Sequence, residues 1–106
     1  MKLTEKKVAD ICKALGDPTR IKIIKLLSSR GRILCVGAIA HELGISQPAV
    51  SQHLKVLKSI GLIDDRRAGC HVHYCVCGDT LGQYKKEFDE LFKLLGRCCS
   101  HLYEDD

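Results

Sequence analysis

Apolar residues recur every three or four positions through the first sixty residues, which predicts a series of amphipathic helices. The first helix follows a potential N-cap at Thr4 and ends at Gly16. The second begins at Asp17-Pro18, where an acidic N-cap precedes a proline at the first helical position. Its five isoleucines and leucines predict the central core helix, and residues 28–31 are expected to form a loop.

Two short helices are predicted next, joined by a tight turn. The first covers residues 36–43, after a possible short strand, and ends at Gly44. Ser46 caps the second, in which Val50, Leu54 and Leu57 form the buried stripe and Gly61 closes the helix. Such a pair is a helix-turn-helix, whose second helix can enter the major groove of DNA.

The remaining residues predict a hairpin and a long final helix. Two segments rich in β-formers, residues 62–67 and 70–76, flank the turn dipeptide Ala68-Gly69 and thus form the wing of a winged helix. The final helix carries an apolar seam with alternating spacings of three and four residues: Leu81, Tyr84, Phe88, Leu91, Leu95, Cys98 and Leu102. This seam needs a partner helix, and a second copy of the chain is the simplest one.

The fold class predicted is therefore mainly α with a β-hairpin wing (α+β), in one winged helix-turn-helix domain covering residues 1–106. Seventeen Lys and Arg against 13 Asp and Glu give a net charge of +4, which permits nucleic-acid binding. Charged residues interrupt every apolar run, so no membrane span is expected. Without a recognisable secretory signal, we expect a reduced, cytoplasmic protein, and the odd count of seven cysteines argues against a disulfide framework.

Several motifs resemble those of the ArsR/SmtB family of metal-responsive repressors. They are the Asp-Pro-Thr-Arg run from Asp17, the Leu-Cys-Val-Gly run from Leu34, the segments from Leu43 to Gln47 and from Val50 to Lys55, Gly61-Leu62-Ile63, and the wing segment from Gly69 to Tyr74. This resemblance covers nearly the whole chain. It implies a homodimer built on the first and last helices that binds double-stranded operator DNA and is released when a ligand binds.

The predicted DNA-reading side chains lie opposite the buried stripe of the fourth helix: Gln47, Ser51, Gln52 and Lys55. Glutamine can bond adenine through two hydrogen bonds, serine a base or a phosphate, and lysine guanine or the backbone. Arg66 and Arg67 are expected at the hairpin tip, where one reaches a minor groove or a phosphate. A solvated polar surface is the alternative interpretation for both sets.

Cys98 and Cys99 are the favoured inducer ligands, because this pair resembles the vicinal-cysteine tails of some arsenite-responsive members of the family. Adjacent thiolates can bind one large soft ion, with As(III) favoured and Cd(II) or Zn(II) as alternatives, and no metal is needed for folding. Cys12 is a possible third ligand. The weaker candidates are Cys35, Cys70, His73, Cys75 and Cys77. The family's third-helix site has a second cysteine at the position where this chain has Gly37, so Cys35 would lack its partner ligand there. An alternative interpretation of Cys98 is that it only fills the apolar seam of the last helix.

Two further functions stay open. The same fold could carry a thiol pair that senses peroxide, persulfide or disulfide stress. A small cysteine-dependent oxidoreductase is the alternative from another class, but the chain has neither a Cys-x-x-Cys motif nor a glycine-rich phosphate loop beside a cysteine. No enzymatic activity and no small organic substrate are therefore expected.

Overall fold

The protein has five helices and three strands in the ranges that the structure, a computed structural model, describes: residues 5–30, 34–69 and 71–104. For residues 97–104 and for Arg30, Ala68, His71 and Leu81 only the backbone is described. The elements in chain order are α1 (Glu5–Ala14), α2 (Pro18–Arg30), β1 (Leu34–Cys35), α3 (Val36–Leu43), α4 (Gln47–Ser59), β2 (Ile63–Ala68), β3 (His71–Val76) and α5 (Gly78–Glu104). Thr4, the predicted first N-cap, lies outside the described residues.

The start of α2 follows the sequence prediction. The side chain of Asp17 accepts a 2.8 Å hydrogen bond from the Thr19 backbone N–H, which satisfies one of the free donors of the first turn. This hydrogen bond lowers the pKa of the Asp17 carboxyl. The loop predicted at residues 28–31 is wrong in its first part, because α2 continues to Arg30. Ser29 fits this last turn by donating its hydroxyl to the carbonyl of Leu26, at 3.3 Å.

The turn between α3 and α4 is closed by the two local features that the sequence predicts. Gly44 has a φ of +66°, the left-handed conformation in which a side chain would be strained, and its N–H bonds the last turn of α3. Ser46 caps α4 by accepting a 3.3 Å hydrogen bond from the Ala49 N–H. Helices α3 and α4 therefore form the expected helix-turn-helix.

The wing belongs to an antiparallel sheet of three strands in the order β1-β3-β2. Its hairpin differs from the prediction by one residue, because Ala68, which was expected in the turn, is paired with His71 and is the last residue of β2. Gly69 supplies the positive φ of +66° that this turn requires, while Cys70 lies outside the described residues. The predicted short strand is confirmed as β1, which pairs Cys35 with His73.

The core lies between α2, the helix-turn-helix and the sheet. Its fully buried side chains come from every layer and include Ile11, Ile23, Ile39, Leu54, Leu57, Leu62 and Ile63. The seam of α5 is only partly covered: Tyr84 is buried and Phe88 half-buried, whereas Leu91 is 39% and Leu95 54% exposed. Phe92 and Leu94 are also exposed, so the uncovered apolar surface is broader than the predicted seam.

Candidate nucleic-acid interface and thiol positions

Helix α4 presents one polar face and one buried face. Val50, Leu54 and Leu57 are buried as predicted. The four side chains predicted to read DNA are all exposed on the other side: Gln47, Ser51, Gln52 and Lys55. Spacings of four residues between Gln47, Ser51 and Lys55 align these three along one line of the helix surface.

The electrostatics of this face suit an anionic partner. Helix α4 contains no Asp or Glu and ends with Lys55 and Lys58 on its C-terminal half. The N-terminus of a helix carries a partial positive charge, so the first turn of α4 also favours a phosphate. Gln47 in that turn approaches α3, because a Cβ built on Gly37 would lie only 3.6 Å from its amide nitrogen. The face is thus polar and free of carboxylates, and its first side chain approaches α3.

An ion pair joins the end of α4 to the wing. Lys58 Nζ lies 2.9 Å from Asp65 Oδ2 on β2, with both side chains partly exposed. The hydrogen bond to Lys58 lowers the pKa of the Asp65 carboxyl, and the same bond raises the pKa of Lys58. Because Asp65 is paired in this way, one of the two wing carboxylates is neutralised on the side that faces α4.

The two wing arginines are exposed, but they do not lie at the hairpin tip as expected. Arg66 pairs with His73 and Arg67 with Val72, so both stand within β2 and the turn follows later. Successive strand residues point to opposite faces, and the two guanidinium groups therefore leave the sheet on different sides. Only one of them can face the same duplex surface as α4.

This chain is similar to known bacterial and archaeal regulatory proteins. A family model described as bacterial regulatory protein, arsR family, matches residues 17–65. An uncharacterized HTH-type transcriptional regulator of Methanocaldococcus jannaschii is 42% identical over 85 residues, which cover 80% of this chain and 94% of the relative. The arsenical resistance operon repressor of Escherichia coli is 47% identical over 81 residues, or 76% of this chain and 68% of the repressor. The chain belongs to the arsR family.

A solved structure extends this arsR-family relationship to the fold. The solution structure of a homodimeric winged helix-turn-helix DNA-binding domain from Mycobacterium bovis, a possible ArsR-family regulator, is 30% identical. The TM-score is 0.66, and the match covers 95% of this chain and 85% of that one. The predicted fold class is confirmed, and the chain is a transcriptional regulator rather than an enzyme. None of the helices in the described ranges combines the length and apolar character needed to cross a bilayer.

Four thiols of this arsR-family chain are described, and all four are free. Cys12 is exposed on α1, whereas Cys35, Cys75 and Cys77 are half-buried in or beside the sheet. Burial raises the pKa of Cys77, and the nearby Asp64 carboxylate raises it further. The thiol form of Cys77 is therefore favoured at neutral pH, which makes it a poor nucleophile.

The weaker candidates that the structure describes, which are Cys35, His73, Cys75 and Cys77, are not brought together into one metal site. In strand β3, Tyr74 and Val76 pack on the core, so His73 and Cys75 share the opposite face. Within the described residues, no three His, Cys, Asp or Glu side chains converge to hold an ion. Cys70 lies outside the described residues.

The thiols favoured by the sequence stand near the end of α5. The helix backbone passes through Cys98 and Cys99, but their side chains lie outside the described part of the structure. Cys12, the possible third ligand, does face α5. It lines an open groove of about 470 Å³ between α1 and α5, together with Val8, Leu91 and Leu94.

Two polar links to α4 were not predicted from the sequence. Arg20 on α2 donates a 3.2 Å hydrogen bond from Nε to Nδ1 of His53 on α4. Tyr84 on α5 donates a 2.7 Å hydrogen bond to the carbonyl of Ile60, the C-cap residue of α4. Both pairs are distant in sequence, so no spacing rule indicates them.

Proposed function

We propose that the chain is a homodimeric repressor that binds operator DNA through α4 and the wing and is released by a thiophilic metal or metalloid. The observation that carries the DNA part is the capped α4, with four exposed donors and acceptors on a face without carboxylates. Gln47 and Gln52 read adenine edges, Ser51 bonds a base or a phosphate, and Lys55 reaches guanine or the backbone. The whole of residues 1–106 acts as one domain.

The wing supplies contacts outside the major groove. Arg66 and Arg67 are both exposed on β2 and point to opposite sides of the sheet. One of them binds a phosphate or enters the adjacent minor groove, while the other stays in solvent. The ion pair between Lys58 and Asp65 supports this role, because it ties the wing to the end of α4.

The dimer is formed by α1 and α5. Four large apolar side chains on α5 are exposed in the single chain: Leu91, Phe92, Leu94 and Leu95. Contiguous apolar surface of this kind marks an interface in a small protein. A two-fold arrangement of two α4 helices then predicts operator half-sites about 34 to 36 Å apart. The homodimeric M. bovis domain supports the same assembly.

The inducer is a soft ion bound by Cys98 and Cys99, and As(III) is the favoured one, with Cd(II) and Zn(II) as alternatives. A trigonal arsenic site needs a third sulfur, and Cys12 is the proposed donor. Its support is the groove that Cys12 shares with Leu94, since Cys98 follows Leu94 by one helical turn. The E. coli relative named as an arsenical resistance operon repressor supports the choice of arsenic.

The test is an operator-binding titration with four candidate inducers in parallel. A duplex selected from random sequences by the protein serves as operator, and As(III), Cd(II), Zn(II) and hydrogen peroxide are added separately under otherwise equal conditions. Release by As(III) in the presence of a reductant, with one equivalent bound per site, supports the proposal. Release by peroxide alone, reversed by the reductant, would instead assign the chain to thiol-based redox sensing.

A further inference from the structure

The side chain of Arg20 joins three helices at one point. Its terminal NH1 group donates a 3.1 Å hydrogen bond to the carbonyl of Ala14, the last residue of α1. Its Nε donates a 3.2 Å hydrogen bond to Nδ1 of His53, in the middle of α4. Arg20 itself belongs to the first turn of α2 and is half-buried. One guanidinium thus connects α1, α2 and α4.

Each partner of this guanidinium suits a half-buried cation. The end of α1 offers carbonyls without intrahelical partners and the negative end of the helix dipole. Asp17, the N-cap of α2, adds a carboxylate: Arg20 contributes to the lowered pKa of Asp17, after its main cause, the hydrogen bond from the Thr19 N–H. The planar fork of arginine can bond two acceptors at once, which the single ammonium of lysine cannot do in the same geometry.

The contact with Arg20 also selects the tautomer of the neutral His53 imidazole. An arginine is always a donor, so Nδ1 must carry the lone pair, and the neutral ring then has its proton on Nε2. His53 directly follows Gln52 and precedes the buried Leu54, so it stands at the border between the polar and the buried face of α4. A fixed hydrogen bond at this border restricts rotation of α4 about its own axis. Rotation would move Gln52 relative to a base edge.

We infer that Arg20 is a positioning residue for DNA recognition: it holds α4 through His53 and ties its orientation to the end of α1. This inference rests on the proposed function, because it assigns to Arg20 the orientation of the helix that we propose reads the operator. Arg20 acts without touching DNA. Since α1 belongs to the proposed dimer interface, the same side chain also conveys a displacement of α1 to α4.

Arg20→Met, which keeps the apolar stem and removes the guanidinium, should bind the selected operator about tenfold more weakly. Its affinity for random duplex DNA and the salt dependence of binding should not change, because no phosphate contact is lost. Arg20→Lys should behave like Arg20→Met. Lys25→Met, on an exposed position of the same helix, controls for the loss of one positive charge. Thermal unfolding of each variant gives the folded fraction used to correct the affinities.

Two substitutions of His53, one that keeps a hydrogen-bond acceptor and one that removes it, distinguish a positioning role from a general effect on stability. His53→Asn keeps an oxygen acceptor near the position of Nδ1 and should bind the operator within about threefold of the parent chain, whereas His53→Leu should lose about as much as Arg20→Met. The double variant Arg20→Met/His53→Leu should be no worse than either single one, because the two residues act as a pair. The nitrogen chemical shifts of His53 in the unmodified chain should report the tautomer with the proton on Nε2.

Three outcomes would overturn the inference. Weaker binding of Arg20→Met to random DNA, with a salt slope reduced by about 0.9, would make Arg20 a phosphate contact. In a second outcome, Gln52→Ala relaxes base preference, but Arg20→Met and His53→Leu bind the operator as well as the parent chain does. This result would leave the proposed function intact and show that Arg20 does not position α4. If Gln52→Ala also has no effect, the proposed function itself fails, and with it the inference.

Discussion

The hydroxyl of Tyr84 donates a 2.7 Å hydrogen bond to the carbonyl of Ile60, so the start of α5 holds the end of α4. Ile60 is the C-cap residue of α4, where carbonyls lack partners within the helix. The Tyr84 ring is also buried at 8% exposure, which fixes the hydroxyl in this position. The long helix proposed for dimerisation is thereby bonded to the helix proposed for DNA reading.

Tyr84→Phe should destabilise the chain by about 1 kcal/mol, because the Ile60 carbonyl loses its donor while the ring stays buried. Urea denaturation with unchanged m-value measures this difference. Tyr74→Phe is the matched control, since the Tyr74 hydroxyl makes no hydrogen bond within the described residues and its loss should change stability by less than about 0.5 kcal/mol. Equal effects of the two substitutions would contradict the importance of this bond.

Leu95→Glu should convert the dimer to a monomer. Loss of one buried leucine costs about 2 kcal/mol, and both copies lose it across a two-fold axis, so the dimer Kd should rise about a thousandfold. Sedimentation velocity at micromolar concentration measures the mass. Ile21→Glu changes an apolar side chain on α2 that is likewise exposed, at 42%, and should leave the mass unchanged. A dimer that survives Leu95→Glu would move the interface elsewhere.

Gln52→Ala should relax base preference at one position in each half-site and cost about 1 to 3 kcal/mol on the selected operator. Binding to random duplexes should be unaffected, because no phosphate contact is removed. Lys55→Ala provides the comparison: if its contact is to the backbone, affinity falls alike for all sequences and the salt slope decreases by about 0.9. Selection from random duplexes with each variant reveals the difference. A uniform loss for Gln52→Ala would assign it to the backbone.

Replacing Cys98 and Cys99 together by serine should abolish release by As(III), because the two soft donors are lost. Operator affinity without inducer should stay within about tenfold of the parent chain, or about 1.4 kcal/mol, since neither α4 nor the wing is altered. Fluorescence anisotropy of a labelled operator measures both quantities. The double replacement of Cys75 and Cys77 by serine is the control and should respond as the parent does. If the two results are reversed, the inducer binds at the sheet.

Cys12→Ser tests the third ligand by itself. As(III) should still bind to two sulfurs, but more weakly, so a higher concentration should be needed to release DNA. Titration of the operator complex with As(III) gives this shift directly. A response identical to that of the parent chain would exclude Cys12 from the site and require the third sulfur to come from another position.

The stability contributed by the Lys58 and Asp65 pair should depend on pH. The folded-state pKa of Asp65 is lowered, so the pair stabilises the fold above the pKa of an unfolded aspartate, about 3.9, and this contribution is lost as pH falls through the folded value. The difference in unfolding free energy between the parent and Asp65→Asn should therefore be constant near neutrality and shrink below about pH 4. Denaturant unfolding at pH 7, 5 and 3 measures it. A difference that does not change over this range would show that the ion pair contributes nothing.

The elements that the sequence predicts well are those set by nearby residues. Ser46 bonds an N–H three residues away and Gly44 adopts its own left-handed conformation, so the boundaries of α3 and α4 follow from local chemistry. The hairpin register is less local, because the sequence alone does not decide whether Ala68 belongs to the turn or to the strand. The pairing of the whole strand with β3 decides between them, and the prediction is one residue off.

Polar contacts between residues that are distant in sequence cannot be predicted from local sequence patterns. Arg20 and His53 are 33 residues apart, and on a predicted helix Arg20 looks like any solvated cation. The predicted end of α2 is wrong for a related reason, because Ser28 and Ser29 are typical loop residues but continue the helix here. The exposed polar face of α4, in contrast, is predictable, since exposure on α4 follows from its 3.6-residue period once Val50, Leu54 and Leu57 are assigned to the core.

The approach of the Gln47 amide to Gly37 bears on the distance between a ligand site and helix α4. A Cβ at position 37 would have ordinary van der Waals contact with Gln47, so the fold can accept Gly37→Cys beside Cys35. An ion held there would act directly on the first side chain of the reading helix, within a single subunit. With glycine at this position, the detection that we propose for cysteines in α1 and α5 would be separated from the proposed DNA-reading helix, and the response would become a property of the assembled pair of chains.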